Sequence, residues 1–244
     1  MSGPIALFEV NPKLDRESLA RTFARERRIQ IGDVLTAGTA EVVHRILEHE
    51  TPWGLAWHAA EEGPFNVRNQ ALAAMPPAAR GEFGRKTGQA AARGDYAFMY
   101  GQYPMLDAYL NQWDQGGPHD LLLEHINDAP FLDLVREVTG MDMLVKADAQ
   151  ATLFAPGQFL SMHDDSHEHE GWQVAYVLSL AKDWRPDWGG YLMFYDEEGD
   201  VIAGLRPRFN ALNLFTVPQR HNVSYVAPYA PIARYAITGW FRDH

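Results

Sequence analysis

The segment SMHDDSHEHEGW, residues 161–172, holds three histidines and four carboxylates within twelve positions. If residues 158–165 form a β-strand, His163 and Asp165 point to the same side, because side chains two positions apart share a face. One imidazole and one carboxylate suit a borderline divalent ion such as Fe(II), but a third ligand is needed to hold it. His221, which follows a proline-marked turn and begins the run HNVSYVA, is the best candidate for that ligand.

Two histidines and one carboxylate on one face of an octahedron leave the opposite face open for substrates, as in non-haem Fe(II) sites. Two alternatives stay open at this point. A cluster this polar is also typical of a solvated acidic turn, and His163 could instead share a helical face with His167 and form a different site with Glu168 or Glu170. We interpret residues 167–170 as a polar loop after the strand.

The run RYAITGWF, residues 234–241, has the alternation of a strand in which Arg234, Ala236, Thr238 and Trp240 share one face. An arginine within such an apolar strand is costly unless it is paired. A ligand carboxylate would remove that cost through two parallel hydrogen bonds, and the Thr238 hydroxyl would add a third. The alternative is a structural salt bridge with an acidic residue supplied by the fold.

The elements that must position these residues divide the sequence near residue 140. Before it, helical periodicity predicts helices in DRESLARTFARERRI and TAEVVHRILEHE, and further helices over 103–113 and 120–139. After it, short β-rich runs follow one another: KADAQATLFA, QFLSMHDD, QVAYVLSLA, GYLMFYD, NALNLFTVP, HNVSYVAP and RYAITGWF. We therefore expect an α+β protein with a single domain over 1–244, in which about 1–140 is a mainly helical buttress and about 141–244 is the β-rich core.

Composition excludes several kinds of site. The sequence has no cysteine, so it offers no disulfide, thiolate nucleophile, iron–sulfur cluster or thiolate zinc site. A net charge of -11 argues against nucleic acid or an anionic membrane as the main partner and favours a small molecule or a cationic peptide. No stretch approaches the ~20 apolar residues that span a bilayer, so we expect a cytoplasmic protein. The oligomeric state cannot be predicted from this sequence.

Four segments together, HDD, LAKDWRPDWGGYLMFY, PQRHNVSYV and RYAITGWF, resemble the prolyl 4-hydroxylase-like branch of the 2-oxoglutarate- and Fe(II)-dependent dioxygenases, over roughly residues 148–242. The resemblance implies a double-stranded β-helix, the jelly-roll fold of the cupin-like proteins, with the metal at its open end. It implies His163, Asp165 and His221 as iron ligands, and Arg234 as the partner of the distal carboxylate of 2-oxoglutarate. Thr238 resembles the accompanying hydroxyl.

Two departures from the family pattern affect the co-substrate site. Relatives often have a tyrosine that reaches the co-substrate at the position of Ser179, and Tyr176, Tyr191 or a water is a candidate to replace it. The interval from His221 to Arg234 is also a few residues longer than usual. Nearby aromatic residues could form a rim around a proline ring or simply pin a loop to the sheet; they are Trp172, Trp184, Trp188, Tyr191 and Tyr195.

The implied reaction is hydroxylation of a C–H bond, with Fe(II), 2-oxoglutarate and O2 as cofactor and co-substrates, ascorbate as a candidate reductant, and succinate and CO2 as co-products. We favour a prolyl residue of a protein or peptide as the substrate. The alternatives are a free amino acid or other small molecule, a different cupin-type metal enzyme, and a catalytically silent cupin-fold binding module. Nucleic-acid demethylation by the same chemistry is disfavoured, because the next arginine, Arg242, lies eight residues after Arg234.

Overall fold

The computed structural model describes residues 7–166 and 170–244. Helix α2 (Ala37–Arg45) continues directly into a π-helical turn, Ile46–Glu50, and a 3-10 turn covers Pro186–Trp188. The α-helices are α1 (Arg16–Glu26), α2 (Ala37–Arg45), α3 (Asn69–Ala74), α4 (Pro77–Ala92), α5 (Met105–Leu110), α6 (Pro118–Ile126) and α7 (Ala129–Thr139). None of the helices in the described residues has both the length and the apolar character needed to span a bilayer.

The strands form one antiparallel sheet that curls into a nearly closed barrel. They are β1 (Arg28–Gly32), β2 (Gly54–Ala59), β3 (Glu62–Val67), β4 (Ala97–Tyr103), β5 (Lys146–Ala147), β6 (Gln150–Phe154), β7 (Phe159–His163), β8 (Trp172–Ser179), β9 (Leu192–Tyr195), β10 (Val201–Leu205), β11 (Ala211–Thr216), β12 (His221–Val223) and β13 (Arg234–Arg242). Their order is β1-β11-β8-β13-β6-β4-β7-β12-β9-β10, with the hairpin β2-β3 attached to β4 and β5 attached to β13.

The predicted β-rich runs after residue 140 all contain strands, β5 to β9 and β11 to β13, so that part of the prediction is confirmed. The first 140 residues, predicted to be mainly helical, contain all seven α-helices of the described residues and also four strands, β1 to β4, that the sequence did not predict. Strand β1 follows α1 after one residue, Arg27, whose φ of 56° ends the helix. The predicted helix over 120–139 is interrupted between Ile126 and Ala129, and Pro130 stands in the first turn of α7.

Helices α1, α6 and α7 pack on the outer face of the sheet, as expected for a buttress. Phe131 and Leu134 of α7 are fully buried in the same apolar core as Tyr176 and Leu178 of β8. Because side chains alternate along a strand, the neighbouring residues of β8 point to the opposite face, inside the barrel. Strands from both parts of the chain share one sheet.

Candidate metal centre and active site

A cavity of about 470 Å³ opens between the two layers of the barrel. Most of its wall is apolar or aromatic, including Phe98, Leu160 and Leu192. The cavity also contains charged, imidazole, amide and hydroxyl side chains, which are His58, Tyr96, Tyr100, Gln150, Thr152, His163, Asp165, His221, Arg234 and Thr238. An apolar pocket with a few converging polar groups is the usual form of a small-molecule site.

Three of these side chains lie close enough together to hold one metal ion. His163, Asp165 and His221 each offer one ligand atom, and these atoms lie within 4.8 Å of one another. The His163 Nε2 is 3.3 Å from Asp165 Oδ1, and the His221 Nε2 is 3.5 Å from Asp165 Oδ2. The two histidines are direct partners across the antiparallel strands β7 and β12. The structure therefore brings together the three residues that the sequence nominated as metal ligands.

The reason Asp165 faces the cavity differs from the predicted one. Strand β7 ends at His163, so Asp165 lies in the following turn rather than two positions along the same strand. Asp165 has a φ of 58°, in the left-handed region that aspartate tolerates better than most residues. A register shift between β7 and β12 also interrupts the regular alternation next to the site. The carboxylate is thus placed by a turn, not by strand periodicity.

Hydrogen bonds orient the imidazoles for metal binding. The Nδ1 of His163 lies 2.9 Å from the Ser161 carbonyl oxygen, and the Nδ1 of His221 lies 2.8 Å from that of Gln219. An Nδ1–H that donates to a carbonyl leaves the Nε2 lone pair free, which is the state a metal ligand needs. Both Nε2 atoms point to Asp165, so the free lone pairs converge on one point.

The protonation states of the cluster follow from burial and mutual charge. Burial, together with the neighbouring His163, lowers the pKa of His221 to about 4, so His221 is neutral near pH 7. Burial alone would lower the pKa of His163, but the hydrogen bond and charge of Asp165 raise it above its ordinary value. Burial opposes the charged form of Asp165, yet its bonds and charge interactions with the two histidines and Trp240 keep its pKa below the usual range.

Arg234 is a buried cation in the same cavity. Its side chain lies at the start of β13 with 2% exposure, and burial lowers its pKa to about 10. Its Nε and Nη1 have no hydrogen-bond partner among the described residues, and no described carboxylate forms a salt bridge with it. The predicted alternative of a structural salt bridge is therefore not found in the described part of the chain. An unpaired buried guanidinium is destabilising, so an anionic ligand would compensate its charge.

Thr238 lies on the same cavity wall as Arg234, as the strand alternation predicted. Between them, Ala236 is buried and small. The direct partners of Arg234 and Thr238 on β6 are Phe154 and Gln150, which also line the cavity. The wall formed by β6 and β13 thus carries a cation, a hydroxyl and an amide within one open space.

Neither Ser179 nor the two tyrosines predicted as its replacements, Tyr176 and Tyr191, presents a hydroxyl to the cavity. Ser179 is fully buried, its Oγ accepts a hydrogen bond from the backbone N–H of Arg208, and it does not line the cavity. Tyr176 is among the residues around the cavity, but its ring packs in the helical core and its hydroxyl donates to the Asp148 carbonyl oxygen. Tyr191 also lies off the cavity wall.

The aromatic rim is present only in part. Trp172 lines the cavity and stacks on Trp240 with ring centroids 4.1 Å apart. Trp184 instead donates to the Gly189 carbonyl oxygen and packs edge-on against Trp188, so this pair pins a loop. Tyr191 and Tyr195 do not line the cavity. The loop residues His167, Glu168 and His169 lie outside the described part of the chain.

Sequence reasoning missed several cavity residues. Trp240 donates its indole N–H to Asp165 Oδ2 at 3.0 Å, which leaves Oδ1 toward His163. The alternation in RYAITGWF had placed Trp240 on the face of Arg234, so this contact could have been anticipated. Tyr100 and His58 come from the part of the chain read as helical, and no local signal marked them.

Comparisons with known proteins agree with this geometry. Residues 149–242 match the family model of the 2OG-Fe(II) oxygenase superfamily. A stretch of 131 residues is 30% identical to mouse (Mus musculus) prolyl 3-hydroxylase OGFOD1 and covers 51% of this chain but 24% of that protein. The chain therefore spans about a quarter of the length of this relative.

Two solved structures share the fold over nearly the whole chain. A prolyl-4-hydroxylase from Pseudomonas putida is 16% identical with a TM-score of 0.58, covering 98% of this chain and 96% of that one. A prolyl hydroxylase from Trichoplax adhaerens, solved with a hypoxia inducible factor peptide fragment, is 18% identical with a TM-score of 0.60, covering 93% and 89%. These comparisons confirm the resemblance to the prolyl hydroxylase-like 2-oxoglutarate oxygenases and the double-stranded β-helix fold.

Proposed function

We propose that this protein is a dioxygenase dependent on Fe(II) and 2-oxoglutarate that hydroxylates a C–H bond, with succinate and CO2 as co-products. The favoured substrate is a prolyl residue in a protein or peptide. The observation that carries the proposal is the presence, in one cavity, of the cluster His163, Asp165 and His221 and of the unpartnered buried Arg234. A metal site alone would suit many reactions, whereas the second, cationic site selects an anionic co-substrate.

The donor set of the cluster fits Fe(II). Two neutral imidazoles and one carboxylate are the ligands of non-haem iron sites that keep open positions for substrates. His163, Asp165 and His221 would hold the ion, and bound Fe(II) with 2-oxoglutarate and O2 supplies the oxidising chemistry. The chain's contribution is to fix these ligands through Ser161, Gln219 and Trp240 and to keep the surrounding cavity largely apolar.

Arg234 and Thr238 would bind the distal carboxylate of 2-oxoglutarate. The guanidinium can donate two parallel hydrogen bonds to a carboxylate, and burial strengthens such a charged bond. Because Ala236 separates these residues and is small, the wall leaves room for the aliphatic part of the acid. Binding at this point would position the other end of the acid toward the metal cluster in the same cavity.

The prolyl substrate is supported by the wall of the cavity and by the relatives. Aromatic and apolar side chains, including Tyr96, Phe98 and Trp172, line the cavity and suit a proline ring. Both the mouse relative and the two solved structures are named as prolyl hydroxylases. The net charge of -11 favours a basic peptide over a nucleic acid. The proposal includes a cytoplasmic location.

The test is an anaerobic titration of the Fe(II)-loaded protein with 2-oxoglutarate, followed by incubation in air with proline-containing basic peptides and with free proline. We expect a visible charge-transfer band on adding 2-oxoglutarate, succinate formation, and a peptide that gains one oxygen atom by mass spectrometry. The control is Arg21→Met, a substitution of an exposed arginine on α1, which should behave as the parent protein.

Each contrary outcome selects one alternative. Hydroxylation of free proline but not of the peptides would support the small-molecule alternative. Binding of Fe(II) and 2-oxoglutarate without substrate-dependent succinate would favour a silent binding module. Iron bound without any effect of 2-oxoglutarate would refute the proposed co-substrate and favour another cupin-type chemistry.

A further inference from the structure

We infer that Tyr100 of β4 donates its hydroxyl hydrogen to the distal carboxylate of 2-oxoglutarate and takes the role left vacant at Ser179. The inference rests on the proposed function, because it concerns the same co-substrate. It assigns part of the co-substrate site to a strand that lies outside the matched residues 149–242. The site would then be shared between Arg234 on β13 and Tyr100 on β4.

Tyr100 and Arg234 lie beside the same aromatic ring. The Tyr100 ring stacks on Phe154 with centroids 5.0 Å apart and an interplanar angle of 22°. The Cζ atom of Arg234 lies 5.3 Å from the centroid of the same Phe154 ring. Tyr100 on β4 and Arg234 on β13 flank strand β6, and both line the cavity, so both can contact a ligand held there.

The neighbouring amides set the direction of the Tyr100 hydroxyl. Gln102, on the same strand, donates to the Oε1 of Gln150. The hydrogen bond between the Gln150 side chain and Tyr100 acts to lower the tyrosine pKa, as an N–H that donates to the phenol oxygen would. The Tyr100 O–H itself donates to no acceptor among the described residues. It is therefore free to donate to a ligand.

The phenol stays protonated over the whole physiological range. Burial raises the pKa of Tyr100 well above its ordinary value, and nearby Tyr96 and Asp165 act in the same direction. A protonated phenol that already accepts from Gln150 can bind an anion only as a donor. A free O–H donor of this kind suits a carboxylate ligand.

Ser179 cannot fill this role in the described arrangement. Its Oγ already accepts from the Arg208 backbone N–H at 3.2 Å, and the side chain does not line the cavity. Ser179 is the cross-strand partner of Ala236. Tyr100 lies on the other side of β13 from Ser179: it is on β4, and its ring stacks on Phe154 of β6.

The experiment measures the affinity of the Mn(II)-loaded protein for 2-oxoglutarate by calorimetry, for the parent protein, Tyr100→Phe and Tyr103→Phe. We expect Tyr100→Phe to raise the Kd for 2-oxoglutarate about tenfold, since a hydrogen bond to a charged group is lost. The Kd for 2-oxopentanoate, which has a methyl group in place of the distal carboxylate, should stay unchanged. Tyr103 is a buried tyrosine of the same strand outside this cavity, so Tyr103→Phe should change neither value.

A purely structural role predicts a different pattern. If Tyr100→Phe weakened both acids equally, or weakened neither, the inference would be refuted. Gln150→Met provides a second test that leaves Tyr100 intact: it removes the amide that orients the hydroxyl and should weaken 2-oxoglutarate by a smaller factor than Tyr100→Phe does, again without affecting 2-oxopentanoate. Equal weakening of both acids by Gln150→Met would count against the inference.

The failure of this inference is distinguishable from the failure of the proposed function. If the parent protein binds 2-oxoglutarate and Arg234→Met loses it, while Tyr100→Phe binds normally, only the role of Tyr100 is refuted. If the metal-loaded parent protein binds no 2-oxoglutarate at all, the proposed function and this inference are both refuted.

Discussion

The two faces of strand β13 differ in a way that separates folding from function. On the outer face, Ile237 and Phe241 are fully buried in the apolar core beneath the helices. On the inner face, Arg234 is equally buried but two of its nitrogens have no partner, and Trp240 holds the Asp165 carboxylate. The outer face is satisfied by the protein itself, whereas the inner face is complete only with ligands. Substitutions on the outer face should therefore lower the free energy of unfolding, whereas substitutions on the inner face should weaken ligand binding.

The largest expected effect on stability comes from the outer core. Phe131 of α7 is fully buried and packs edge-on against Phe8 with ring centroids 5.2 Å apart. Phe131→Ala should lower the free energy of unfolding by about 3–5 kcal/mol, measured by urea denaturation, because it removes a large buried side chain and leaves a cavity. The folded variant should bind Mn(II) as the parent protein does. Loss of metal affinity in the folded variant would show that the two faces are coupled.

The largest expected effect on binding comes from the metal cluster. His221→Ala should weaken Fe(II) or Mn(II) binding by more than about 100-fold, since loss of a ligand exceeds the usual effect of an outer-shell change. The metal-free variant should stay folded, because Asp165 keeps its contacts with His163 and Trp240. His49→Ala, at an exposed histidine of the π-helical turn, is the matched control. Equal metal affinity for His221→Ala and the parent protein would remove His221 from the site.

Arg234→Met tests the comparison most directly. The substitution should weaken 2-oxoglutarate binding by at least about 30-fold, through loss of a bidentate charged contact, and leave metal binding unchanged. The same substitution should stabilise the ligand-free protein by about 1–4 kcal/mol, because an unpaired buried charge is replaced by an apolar side chain of similar length. Calorimetry measures the first effect and chemical denaturation the second. A destabilised ligand-free variant would mean that Arg234 has a structural partner.

The smallest of these effects is expected at Trp240. Trp240→Phe removes the indole N–H that donates to Asp165 but keeps an aromatic ring beside Trp172. Metal affinity should fall about tenfold, as is usual when a group that orients a ligand is lost. Trp53→Phe is the control, because the Trp53 indole N–H also donates a hydrogen bond, to the Leu47 carbonyl oxygen on the helical side. If both variants bind metal equally well, the bond to Asp165 does not orient the ligand.

Much of the site could be predicted because its signals are local. The alternation of RYAITGWF placed Arg234, Thr238 and Trp240 on one face, since side-chain direction along a strand depends only on the parity of the residue number. The spacing of His163 and Asp165 also nominated two side chains that the structure brings together, although a left-handed turn at Asp165, not strand periodicity, aims the carboxylate. Short β-rich runs identified the strands of the C-terminal part for the same local reason.

The pairing of strands that are distant in sequence decided the remaining features of the site. The sequence by itself determined which residues could bind a metal or a carboxylate, because donor chemistry and side-chain alternation are properties of short segments. Only the tertiary structure decided that β4 lies between β6 and β7, which places Tyr100 beside Phe154 and on the strand next to the one that carries His163. It also decided that Tyr176 faces the helices and that Arg234 has no carboxylate partner in the described residues. These outcomes depend on which distant segments pair, and no local pattern encodes that pairing.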